Sequence, residues 1–471
     1  MRAATVGKAC DSEVEARSNH ATTQLLRPGE MAIAYAEFRS RVVELASRRD
    51  ARIWPIAATM ALGGLSVGAI MPVMPCLVHD LNLTSTEYGL VVSAFGAAKL
   101  VSNVPAASYV DLRGRRESMV LGLSAIASGF FMVGLADGFV GLAAARALTG
   151  AGVAFLVTGS TLAATDLSTP LNRASTTAPL GAAFNAGTVA GPALGGALAG
   201  ALGPSRTFFV VAAMIATDAL YARVFIKETA GRFKRFGGGC GEGVSSASSV
   251  ETTATSTARG DAAAPAAAPA AAPPVSPFGD PALFRLCVAN ASYWFTVAGV
   301  NMTVLPLTLS NPAGLNLDPS LIGSLFAAQA VVGVAGAMPV ASLADKVGPE
   351  KLVAPAFVVA ATANALFPLA HTYDAVAGVM VLAALGSSLL GAAPTAAVAN
   401  AVSADQRPRA LALMRTAGDV GMLVGSATLG TVAATYGHAA AFELASAWLT
   451  GSAAFFFVSH RRSATRAAAA R

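Results

Sequence analysis

Twelve stretches of roughly twenty apolar residues, each closed off by a short charged gap, constrain this chain more than any motif in it. They fall at about 53–78, 89–110, 119–136, 139–164, 180–203, 207–226, 284–309, 321–344, 352–370, 375–399, 411–436 and 438–459. At 1.5 Å per helical residue, runs of that length cross a hydrocarbon core about 30 Å thick. They are too long and too continuously apolar for the alternating strands of a barrel, so helices are predicted throughout. With 54% apolar and only 12% charged residues and a mean hydropathy of +0.59, lipid is the solvent for most of the chain. The expected fold class is therefore an all-α membrane protein of about twelve transmembrane helices, grouped as six, a gap, and six.

The net charge of +6 does not indicate nucleic acid, because Lys and Arg are spread over the gaps between runs instead of covering one soluble face. Cys10, Cys76, Cys240 and Cys287 stand far apart, with no His at ligand spacing, so neither a metal site nor a disulfide framework is expected. There is no nucleophile elbow, no HExxH and no phosphate loop in the right context, and no cofactor is expected; the chain does not read as an enzyme. GGGCGEG at 237–243 lacks both a preceding strand and a following Gly-Lys-Ser/Thr.

Basic residues before run one (Arg48, Arg49, Arg52), after run two (Arg113, Arg115, Arg116), after run six (Lys227, Arg232, Lys234, Arg235) and after run twelve (Arg461, Arg462) place both termini in the cytoplasm by the positive-inside bias, with Arg206 as the exception. The expected division is a tail at 1–52, a helical unit at 53–227, a linker at 228–280, a second helical unit at 281–460 and a tail at 461–471. The linker is Gly/Ser/Thr-rich and then Ala/Pro-rich, with too little bulky apolar surface to pack. Residues 31–49 read either as a short amphipathic helix on the membrane or as a solvated tail, and residues 1–50 have no signal-peptide core. Asn82-Leu83-Thr84 is a glycosylation sequon in the first outer gap.

Charges inside the apolar runs are costly and therefore informative. Lys99 lies twelve residues before Asp111, roughly 18 Å from the gap and near the bilayer centre, with Asn103 a turn further along the same face. Asp218 in run six is about as deep, and Asp419 in run eleven lies roughly 13 Å in. Arg415 is four residues before Asp419 and could neutralise it locally. Glu443, Arg223 and Arg285 are near enough to run ends to snorkel.

The two halves repeat. The gap after run two, Asp111-Leu-Arg-Gly114-Arg115-Arg116, lies over the gap after run eight, Asp345-Lys346-Val-Gly348-Pro-Glu350-Lys351, at an offset of 234 residues (Asp111 to Asp345). At that same offset Arg173 meets Arg407, Gly187 meets Gly421, Gly191 meets Gly425 and Gly196 meets Gly430. Matches at one shift indicate duplication.

Two parallel six-helix halves joined by a central linker resemble the major facilitator superfamily over residues 53–460, which implies two pseudo-symmetric bundles. The gap after run two is similar to that family's G-x-L-A-D-R-x-G-R-R loop: Asp111, Gly114, Arg115 and Arg116 match, while Ala107, Tyr109 and Leu112 depart. Asp345, Lys346 and Gly348 belong to the second copy. In the family this loop gates alternating access. Physically, its Gly permits a tight turn and its acid can accept hydrogen bonds from a neighbouring helix start. Arg146-Ala-Leu-Thr-Gly150-Ala-Gly152 resembles the family's R-x-x-x-G-x-G, whose Arg is implicated in coupling protons to substrate. Gly187-x3-Gly191-Pro192-x2-Gly195-Gly196 resembles a signature of the drug/proton antiporter branch, with Ala178 where its upstream Gly would stand. Three of those glycines share one helix face and suit close packing. The family's cavity helices then favour Lys99, Arg146, Asn185, Gln329 and Asp419 and disfavour Asp218.

The implied function is secondary active transport, with proton-coupled efflux of a small organic molecule foremost. Uptake or organelle exchange of an anionic metabolite, with Lys99 and Arg146 as counter-charges, is a second reading, and a non-transporting sensor or scaffold of the same fold a third. The partners expected are the lipid bilayer, a small-molecule substrate and protons, with the chain acting as a monomer.

Overall fold

The computed structural model describes residues 50–168, 173–229, 281–402 and 406–469. Apolar runs that hydrogen-bond only within themselves become long helices: α1 (Ile53–Asp80), α2 (Ser85–Arg113), α3 (Arg115–Leu135), α4 (Phe139–Asp166), α5 (Arg173–Leu202), α6 (Pro204–Phe225), α7 (Pro281–Ser310), α8 (Pro319–Val347), α9 (Pro349–Leu366), α10 (Tyr373–Ala401), α11 (Arg407–Tyr436) and α12 (His438–Ala469). No strand occurs among the described residues. Eleven of the twelve are long and apolar enough to cross a membrane. The exception is α5, whose Asn185, Pro179, Pro192 and glycines lower its hydropathy; one face of it packs on α1 and α8. The amphipathic stretch at 31–49 and all but the first two residues of the linker lie outside the described residues.

Odd-numbered helices run away from the face where α1 begins and even-numbered ones return to it. We call that face terminal and the opposite one distal. Connections between helices are short and punctuated by residues that stop or start a helix. Thr84 caps α2, its hydroxyl accepting from the Glu87 amide at 3.2 Å while the Glu87 carboxylate accepts from the Thr84 amide at 2.8 Å. Inside α7, residues Val297–Val304 form a π-helical stretch in which the Thr303 hydroxyl donates to the Ala298 carbonyl at 2.8 Å.

α1–α6 share one buried core, including Ile56, Met74, Tyr88, Leu123, Phe130, Leu142 and Phe208. α7–α12 hold two, one around Phe357, Leu449 and Phe456 and one around Val304, Ile322, Leu429 and Phe442. The halves meet along two seams near the distal face. At one, α2 crosses α11, and the Gly430 Cα leaves no room for a Cβ against the backbone of Ser85 and Gly89. At the other, α5 crosses α8, with Gly196 against the backbone of Pro319 and Gly323. Gly89 and Gly323, and Gly196 and Gly430, each stand 234 residues apart, so the two crossings are copies related by the pseudo-twofold. Among the described residues, no extended packing joins α4 or α5 to α10 or α11 toward the terminal face. Among the described residues the halves are packed together from the distal face down to the level of Lys99 and Asp419.

Candidate functional site

The α2–α11 seam carries the chemistry. Below the glycine crossing, the Ser93 and Ser426 hydroxyls are 2.8 Å apart and both side chains are buried. One helical turn on, Gly96 packs against Met422 and Leu423. One turn beyond, the Lys99 ammonium of α2 lies 2.6 Å from Asp419 Oδ1 of α11, and the Asn103 amide donates to Asp419 Oδ2 at 3.2 Å. The Lys99 side chain is 25% exposed and that of Asp419 9%. Both oxygens of the acid are occupied, and every donor comes from the other half of the molecule. Arg415, the local partner suggested by its spacing, is exposed and makes no ion pair with Asp419. The correction has a physical basis: a 2.6 Å contact plus a second hydrogen bond in a mostly buried seam outweighs an i,i+4 pair on an exposed face, worth about 0.2–0.5 kcal/mol.

Arg146 sits two turns into α4, is 6% exposed and has a buried Nε without a hydrogen-bond partner. Its guanidinium lies over the Phe95 ring of α2, 4.7 Å from the centroid. It borders a narrow apolar pocket, which as it stands has room for little more than water, walled by side chains of α1 and α2 and by Met302 of α7. The distal end of this region is pinned by Tyr88, whose hydroxyl donates to the Met302 carbonyl at 2.7 Å within the π-helical stretch.

The other expected positions divide. Asp218 is 1% exposed and lies inside the first bundle, accepting from the Thr59 hydroxyl at 3.1 Å with Oδ2 unpartnered; among the described residues α6 packs mainly on α3, α1 and α5 of its own half. At the repeat position, Ser452 instead donates to Ser292 at 2.9 Å. Asn185 is exposed on α5, and Gln329 is half-buried on α8; neither makes a hydrogen bond to a described residue. Asn185 occupies the repeat position of Asp419, and Gly333 that of Lys99, so the α5–α8 seam is an uncharged copy of the α2–α11 seam. Gly187, Gly191 and Gly195 stack on α1 against Ala61, Leu65 and Ala69, with Pro192 beside Gly68, while Gly196 turns to α8.

At the terminal face, Gly114 takes φ +98° between α2 and α3. Sequence reasoning gave the acid of this loop, Asp111, the task of receiving hydrogen bonds from a helix start. Asp111 is instead 75% exposed and only reaches Arg115 at 4.0 Å. The acceptor is Glu228, just past α6: its two carboxylate oxygens take the Arg115 and Arg116 amides at 3.0 Å each. A carboxylate there satisfies two otherwise unpaired amides and meets the positive end of α3. Asp166 at the end of α4 pairs with Arg115 at 2.7 Å and accepts from Thr229 at 3.0 Å. In the second copy Gly348 has φ +96° and nothing around its Cβ position, and Lys346 is exposed; the Asp345 side chain lies outside the described residues. Glu228 was missed because it reads as the first residue of a linker; the signal was an acid directly following run six.

A family model described as Major Facilitator Superfamily matches residues 56–311 and 286–471. The chain belongs to that superfamily. Among curated relatives of this facilitator, Multidrug resistance protein 1 of Bacillus subtilis is 31% identical over 71 residues, covering 15% of this chain and 18% of that protein. Quinolone resistance protein NorA of Staphylococcus aureus is 29% identical over 68 residues, covering 14% and 18%. The facilitator thus aligns with under a fifth of the length of these relatives. Among solved structures, a bacterial homologue of the human lysosomal transporter Spinster, inward-facing and occupied, matches with a TM-score of 0.70 at 16% identity, covering 87% of this chain and 96% of that one. The nucleoside transporter NupG matches with a TM-score of 0.67 at 10% identity, covering 87% and 99%. These likenesses establish the fold: a multi-pass membrane transporter fold of two six-helix bundles.

Proposed function

We propose that this facilitator is a proton-coupled exporter of a small organic molecule that works as a monomer by alternating access, with both termini in the cytoplasm. The observation that carries the reading is the Lys99–Asp419–Asn103 cluster spanning the two halves where they close distally. An ionised Asp419 holds Lys99 and so favours distal closure. A protonated Asp419 loses the charge attraction and leaves Lys99 stranded, which favours opening toward the distal, outer side. Proton entry from outside and substrate loading from the terminal, inner side then belong to opposite conformations of one cavity, as exchange requires. On this reading the units 53–227 and 281–460 rock against each other, and the Asp111–Arg116 and Asp345–Gly348 loops gate the terminal side.

Unpaired Arg146 favours a second reading, uptake or exchange of an anionic metabolite. That reading now rests on one fixed cation rather than two, because Lys99 is neutralised by Asp419. The test is flux of multidrug-type dyes and organic anions in proteoliposomes, with and without a pH gradient, for wild type, Asp419→Asn and Arg146→Ala. Gradient-dependent flux that Asp419→Asn uncouples supports export. Flux indifferent to the gradient ends the proton reading, and no flux for any compound leaves the sensor or scaffold.

A further inference from the structure

Arg146 is a buried cation without a counter-ion. Among the described residues, no carboxylate lies within ion-pair distance of it, and the acids at comparable depth are spent: both oxygens of Asp419 on Lys99 and Asn103, and Asp218 within the first bundle on Thr59. Phe95 offers its ring face. A cation–π contact offsets only part of the cost of burying a cation, so the charge is under-compensated. Proteins tolerate such a group where a ligand completes it.

The pocket in front of it defines what that ligand is. Its other walls are apolar, with Met71, Met74 and Met302 offering flexible, polarisable side chains that can re-pack around different bodies. Tyr88 cannot supply a proton, because its hydroxyl is already donated to Met302. One fixed positive charge and no second donor suit a single negative charge. A second anionic group on the ligand would be buried against methionine and phenylalanine without a partner, and a cationic ligand would be repelled. Because Met302 belongs to the second half and the remaining wall to the first, an occupant touches both halves next to their distal closure.

Resting on the transport reading above, we infer that the substrates are amphiphilic organic monoanions, whose carboxylate or sulfonate pairs with Arg146 while Met71, Met74, Met302 and Phe95 part to take up an apolar body. Equilibrium binding to the full chain in lipid nanodiscs tests this, using a panel of aryl and medium-chain alkyl monocarboxylates, each beside its primary amide and its amine. At least one carboxylate binds wild type ten-fold or more tightly than its amide, and the amines bind weakest. Arg146→Gln collapses the carboxylate-to-amide ratio to near one while amide binding persists, and Arg146→Lys keeps part of it. If no carboxylate in the panel outbinds its amide, or if Arg146→Gln preserves the ratio, the inference is overturned. The isostere comparison on wild type needs no variant to fold. Binding needs no gradient, so a carboxylate preference without gradient-driven flux in proteoliposomes would sink the transport reading and leave the site standing.

Discussion

Asp419→Asn is the most informative perturbation of the seam. The variant keeps the size of the side chain and its capacity to bond Asn103, but it removes the negative charge 2.6 Å from the Lys99 ammonium. Stranding one member of a fully buried pair costs about 3–5 kcal/mol. Lys99 is 25% exposed and can draw on water, which reduces this to about 2–3 kcal/mol. The pair spans helices that must part for the distal side to open, so the whole penalty falls on the distally closed conformation. At 1.4 kcal/mol per factor of ten, the open-to-closed ratio rises roughly 30- to 150-fold, enough to bring a conformer populated at about one in a hundred to parity. Spin labels at Asp80 and Tyr436, exposed at the distal ends of α1 and α11, report the change as a long-distance component. The charge-free double variant Lys99→Met/Asp419→Leu, which strands nothing, returns most of the population to the short distance. Identical distance distributions for wild type and Asp419→Asn, or a double variant as open as the two single effects added together, would refute the argument that this bridge holds the seam.

The glycine crossings yield a second expectation: Gly430→Leu and Gly196→Leu each drive a side chain into the facing backbone, so label distances lengthen distally and flux falls at least ten-fold, while Gly451→Leu, with open space around it, behaves as wild type. Gly114→Ala places a Cβ both at positive φ and against Glu228, lowering stability by about 1–2 kcal/mol in a thermal melt in detergent; Gly348→Ala, equally left-handed but unobstructed, loses less. Thr59→Val deprives Asp218 of its hydrogen-bond donor and lowers stability by about 1–3 kcal/mol, whereas Asp218→Asn melts with wild type and retains gradient-driven flux.

Depth along a helix was legible from the sequence, and partnership was not. Lys99, Asn103 and Asp419 could each be placed well inside an apolar run, with Lys99 deepest, by counting residues from the charged gaps, because rise per residue is fixed. Which of them touch depends on how two helices more than three hundred residues apart in sequence cross, and local spacing pointed instead to Arg415. Gly187, Gly191 and Gly195 share one side of a helix because a repeat of four residues keeps it; the division of the glycines between α1 and α8 followed only from the tertiary arrangement. Glu228 and Phe95 carried no periodic signal. The π-helical stretch of α7 was equally silent: within it Gly299 packs against α11 and Met302 accepts from Tyr88, partners distant in the chain that local spacing does not reveal. Asp218 shows the opposite case. A buried charge invited a transport role, yet its place is filled in the other bundle by a serine pair, as expected of a group that ties two helices of one bundle together.

Duplication alone would have produced a symmetric device with two equivalent clasps. Because Asn185 and Gly333 stand where Asp419 and Lys99 stand in the other copy, one clasp answers to electrostatics and the other only to shape. On the transport reading proposed above, a single ionisable substitution along α2 or α11 retunes the charged seam without disturbing the packing of α5 on α8.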